Sequence, residues 1–91
     1  VQISEQYGEY TLSIVASSYH YSEPRIDDLP QDQYRRVEVA LVRNGKLVNP
    51  RRVKGFPKSL ANLWEKGHNP VAGYLTWGQV NAIREALKTL G

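Results

Sequence analysis

Residues 35–53, RRVEVALVRNGKLVNPRRV, decide the fold. Asn44-Gly45 lies between two runs in which apolar and polar residues alternate. Asn-Gly accepts positive φ at both central positions of a type I′ turn, whose twist matches that of the flanking strands. Around that turn Leu41 faces Val48, Val42 faces Leu47 and Arg43 faces Lys46. Extending the register sets Glu38 against Arg51, a favourable cross-strand pair. Pro50 has no N–H for the ladder, so residues 46–53 belong at a sheet edge or end early.

On the N-terminal side, residues 9–21 (EYTLSIVASSYHY) read as a strand in which Tyr10, Leu12, Ile14 and Ala16 share one face. The phase breaks at Ser17-Ser18. Tyr19 and Tyr21 either return to the core through a bulge or stand exposed on the other face. Residues 1–8 offer a fourth strand. Residues 22–33 (SEPRIDDLPQDQ) read as a long acidic loop, and ordered loops of this length are often functional.

On the C-terminal side, Gly55-Phe56-Pro57 turns the chain. Residues 59–66 predict a short helix with Ser59 as its cap, Gly67 as its stop and Leu60, Leu63 and Trp64 on one face. His68-Asn69-Pro70 then opens a linker that runs to residue 75. Thr76 and Gln79 form a capping box, with Leu75 and Val80 at the staple positions. Trp77, Val80, Ile83, Leu87 and Leu90 make the buried stripe of the last helix, and Gln79, Asn81, Arg84, Glu85 and Lys88 face outward. The expectation is one α+β domain over residues 1–91. It has a small antiparallel sheet of three or four strands around the Asn-Gly hairpin, covered on one face by two C-terminal helices.

Charge is distributed unevenly along this chain. Residues 1–33 carry six acids against Arg25, whereas residues 34–58 carry eight Lys or Arg against Glu38. The whole-chain charge of +3 conceals that contrast. A concentrated positive region attracts polyanions. Arg35, Arg36, Arg43, Lys46, Arg51, Arg52, Lys54 and Lys58 are therefore the expected contacts to nucleic acid or to an acidic protein surface. A two-stranded ribbon fits the major groove, and basic residues at its tip would meet phosphates. Tyr19, Tyr21, Arg84 and Lys88 are secondary contacts. The same cations also suit a solvated edge strand that resists aggregation. An exposed edge at residues 46–53 would allow pairing with a second copy.

Catalytic and metal chemistry find little in the sequence. With no cysteine, disulfides, thiolate zinc sites and Cys nucleophiles are excluded. No nucleophile elbow, Walker loop or His-Glu-x-x-His motif is present. His20 is the most placeable base but has no convincing nucleophile beside it in sequence. His68 is explained by a helix C-terminus. Asp27, Asp28 and Asp32 lack the EF-hand alternation. No catalytic residue, metal ligand or cofactor is expected. No apolar run is long enough to span a bilayer. The lack of cysteine favours a reducing, cytoplasmic setting, and a basic hairpin in place of a basic amphipathic helix implies no membrane partner.

The functional expectation is a non-catalytic module that binds nucleic-acid phosphates through the basic hairpin, residues 35–58. In size and layout the chain is also similar to small phage-borne inhibitors, including some anti-CRISPR proteins. That likeness covers layout alone and assigns no residue a role. It implies an alternative: a phage- or mobile-element-type inhibitor or adaptor that binds a host protein complex.

Overall fold

A computed structural model describes residues 2–65 and 70–90. Strands β1 (Gln2–Tyr7), β2 (Tyr10–Val15), β3 (Arg36–Arg43), β4 (Lys46–Val48) and β5 (Val71–Thr76) form one antiparallel sheet. Helix α1 (Lys58–Ala61) is a single turn, and helix α2 (Trp77–Leu90) spans 14 residues. The α+β class is as expected, and residues 1–8 do supply a strand.

The hairpin forms in the expected register. Asn44 and Gly45 have φ of 53° and 76°, and Leu41, Val42 and Arg43 pair with Val48, Leu47 and Lys46. The returning strand stops at Val48, because Pro50 opens a 3-10 turn over Pro50–Arg52. Arg51 is therefore not opposite Glu38. On the β2 side Glu38 is level with Val15 instead.

The edge of β3 beyond β4 is taken by β5. Val48 pairs with Leu41, and Val71 pairs with the adjacent Ala40. The chain thus leaves the sheet after Val48 and pairs again from Val71, at the next position on the same edge. The segment expected as a linker contains this fifth strand. The short helix is also smaller than expected: it covers Lys58–Ala61, with Pro57 rather than Ser59 at its N-cap. Gly67, His68 and Asn69 lie outside the described residues.

A bulge in β5 shapes the far end of the sheet. Gly73 and Tyr74 stand between Ala72, level with Val39, and Leu75, level with Val37, so two residues oppose Glu38. Tyr74 adopts φ of 57°, and its N–H donates to Tyr21 O at 2.9 Å. A Cβ on Gly73 would lie 2.7 Å from Tyr21 Cβ, so only glycine lets the residue 17–22 segment settle there. β2 ends at Val15, and Tyr19 and Tyr21 are exposed rather than folded back into the core.

Helix α2 follows β5 without a loop. Gln79 N donates to Thr76 Oγ1 at 3.2 Å and Thr76 N donates to Gln79 Oε1 at 2.9 Å, completing the capping box. Its buried Val80, Ile83 and Leu87 join Leu12, Ile14, Val37, Val39, Leu41 and Leu75 in the core. Each such side chain contributes roughly 1.5–3 kcal/mol on burial. Trp77 Nε1 donates to Tyr34 O at 2.7 Å, which anchors the start of α2 to the entry of β3.

Arg84 is not an outward contact. It grips both carboxylate oxygens of Glu5 on β1, at 2.9 and 2.8 Å. The guanidinium holds the Glu5 carboxyl below its ordinary value. The folded-state value is the lower one, so the stabilisation is complete above the unfolded value of about 4.3 and fades as pH falls below it. Arg84→Ala is expected to lower stability by roughly 1–2 kcal/mol at neutral pH. In urea denaturation that difference should shrink below pH ~4. A pH-independent difference would contradict the ion-pair origin. Gly73→Ala should cost about 1–3 kcal/mol by overpacking against Tyr21, read in the same denaturation experiment.

Candidate anion-binding site

The eight cations of residues 34–58 separate into engaged and free groups. Arg43 meets Glu9 at 3.0 Å, and its guanidinium lies 5.5 Å from the Tyr10 ring centroid. Glu9 thus offsets the like-charge pairing of Arg43 with Lys46 across the hairpin. Arg36 Nη1 donates to Tyr74 O at 3.0 Å. Arg35 is exposed, and its backbone N–H donates to Glu23 O at 2.8 Å. Lys46 is exposed at the hairpin tip.

Arg51, Arg52, Lys54 and Lys58 come together around one cavity of about 500 Å³. The excursion between β4 and β5 builds it. The Asn49 side chain accepts from Arg51 N at 3.0 Å, which caps the 3-10 turn at its start. The Arg51 guanidinium then reaches the end of α1. It donates to Asn62 Oδ1 at 3.1 Å, Asn62 O at 3.3 Å and Trp64 O at 3.2 Å. Cationic side chains commonly satisfy the last carbonyls of a helix this way. Gly55 turns the chain at φ of 88° beside Leu90 of α2.

Pro50, Val53, Gly55, Phe56, Ala61 and Asn62 complete the lining, and among the described residues no acid contributes to it. Phe56 is buried, with its ring 6.0 Å from the Trp64 ring and edge-on to it. Among the described residues, the side chains of Arg52, Lys54 and Lys58 have no hydrogen-bond or ion-pair partner. The result is a concave surface with three uncommitted cations and a fourth fixed as its wall. Sequence reasoning missed Asn62 and Val53 as lining residues, since nothing local links them to the basic run.

A second cluster lies around the β5 bulge. Tyr21 and Tyr74 rings are 5.8 Å apart, and the Arg25 guanidinium lies 5.9 Å from the Tyr21 centroid. Tyr21 N donates to Glu38 Oε1 at 3.2 Å. Tyr19 is 87% exposed, Tyr21 42%, Ile26 52% and Tyr74 43%. Glu23, Asp28 and Asp32 are exposed on the same loop, while Asp27 accepts from Ser18 N and Oγ. Those bonds hold the Asp27 carboxyl below its ordinary value.

Compared with family models, curated proteins and solved structures, the chain has no match. Ser17 Oγ and His20 Nδ1 are 2.6 Å apart, but Ser17 Oγ also accepts from Tyr19 N within the same tight turn. No described carboxylate bonds to the imidazole, and neither residue lines the cavity. Both contacts lie within the turn of residues 17–20. No cluster of three metal-ligating side chains occurs among the described residues. No described helix is long and apolar enough to cross a membrane. The sheet edge open to a second copy shortens from residues 46–53 to Lys46–Val48. Lys88 pairs with Glu85 at 3.1 Å on the exposed face of α2.

The two neighbouring arginines should behave differently. Arg51→Ala removes the clamp and is expected to lower stability by about 1–2 kcal/mol. Arg52→Ala should stay within about 0.5 kcal/mol of the parent. Chemical denaturation of the two variants checks this. Equal losses would show that the arginines share one structural role.

Proposed function

We propose that the protein is a non-catalytic module that binds nucleic-acid phosphates through the cavity of residues 50–62. The observation that carries this reading is the convergence of Arg52, Lys54 and Lys58, unpaired, on an acid-free concave surface. Unpaired surface cations displace the counterions condensed on a phosphate chain, and that release drives binding. The Arg52 fork can donate to two phosphate oxygens at once, whereas lysines act as point charges. The hairpin tip is the weaker half of the basic region, because Glu9 already neutralises Arg43.

Fluorescence anisotropy with labelled DNA and RNA at ~50 mM and ~200 mM salt tests this. Affinity should fall steeply with salt. The triple variant Arg52→Ala, Lys54→Ala, Lys58→Ala should bind more weakly to every sequence. Its log–log salt slope should flatten by roughly 2. Arg43→Ala with Lys46→Ala should have the smaller effect. A triple variant that binds like the parent would remove the cavity from the account.

One observation favours a second reading, a protein-binding inhibitor or adaptor. The exposed Tyr19, Tyr21, Ile26 and Tyr74 share their loop and bulge with Glu23, Asp28 and Asp32. Tyrosine with rim acids suits docking onto a basic protein face. In that case Tyr21→Ala with Tyr74→Ala would abolish a nuclease-resistant complex and leave oligonucleotide affinity unchanged. Recovery of nuclease-sensitive partners only would count against it.

A further inference from the structure

We propose that the cavity receives a terminal phosphate, the phosphomonoester end of a nucleic-acid strand, rather than the running backbone. This inference rests on the nucleic-acid reading and narrows its ligand.

Shape is the first argument. A volume of about 500 Å³ falls in the range of small-molecule sites, roughly 300–1,000 Å³. The site is a concavity partly open to solvent, and its volume accommodates one end group with its sugar or base. Charge is the second argument. An internal phosphodiester carries one negative charge, whereas a phosphomonoester carries about −1.5 to −2 at neutral pH. Arg52, Lys54 and Lys58 place more positive charge on this one cavity than a single diester would balance, and no acid lines it.

Neutral lining residues fit the rest of the ligand. Asn62 turns its Oδ1 to Arg51, which leaves its side-chain NH2 as a donor. Val53, Phe56 and Ala61 give an apolar wall beside the cations, suited to a ribose or a base. The Arg51 clamp holds Asn62 against the 3-10 turn, so this wall is preorganised.

The test compares three short single-stranded oligonucleotides of one sequence, each with an internal fluorophore. One has a 5′-phosphate, one a 3′-phosphate, and one hydroxyls at both ends. At least one phosphorylated form should bind about tenfold tighter than the hydroxyl form, the effect of one added charge-assisted contact. The preference should vanish in Arg52→Ala with Lys58→Ala. It should also weaken below the second phosphate pKa of about 6, where the end group loses charge. Equal affinity for all three, with steep salt dependence, would overturn the end-recognition claim and leave phosphate binding standing. Absence of binding to any of them would overturn both.

Discussion

Strand β3 has one long edge to satisfy, and the hairpin covers only part of it. Buried backbone donors and acceptors must find partners. Lys46–Val48 covers the stretch from Arg43 to Leu41, and Pro50 then prevents the ladder from continuing. Val71–Thr76 completes the same edge from Ala40 onward. The intervening residues must leave the sheet and come back one position further along. That detour makes the 3-10 turn, the single helical turn and the cavity between them. The positive surface of this protein is thus a by-product of how its edge strand is broken.

One arginine gives the detour its shape. Arg51 is committed to Asn62 and Trp64, which closes the excursion on itself. Arg52, beside it, is left unpaired at the cavity. At the other end of β3, the Gly73-Tyr74 bulge performs a comparable task. It frees the Tyr74 N–H for Tyr21 and seats an aromatic, acid-rimmed segment there. Two surfaces of opposite chemistry are therefore built by two departures from regular pairing along one central strand.

The legible parts of the fold were those with local chemical signals. Asn44-Gly45 set a register that holds from Arg43–Lys46 to Leu41–Val48 and fails only beyond Pro50, where Arg51 does not reach Glu38, and Thr76 with Gln79 located the start of α2. Strand β5 was hidden because Gly73 and Tyr74 break its alternation and because no loop separates it from the helix cap. Tyr19 and Tyr21 looked like a continuing strand, but the chain leaves β3 after Val15. The cationic run was plain in the sequence, while its division into engaged and free side chains was not. Arg43 with Glu9, Arg51 with Asn62, and Arg84 with Glu5 are through-space pairings, the last between residues 79 positions apart. Composition cannot distinguish a cation that holds the fold from one left for a ligand.

An amide-resolved NMR titration with a short phosphorylated single strand distinguishes the free cations of residues 52–58 from the hairpin tip as the proposed anion site. Binding at the former predicts chemical-shift changes concentrated over residues 50–62 and weakened by added salt, with Asn44, Gly45 and Lys46 little affected. Changes centred on the hairpin tip or on the Tyr21–Tyr74 surface, with residues 50–62 silent, would contradict it.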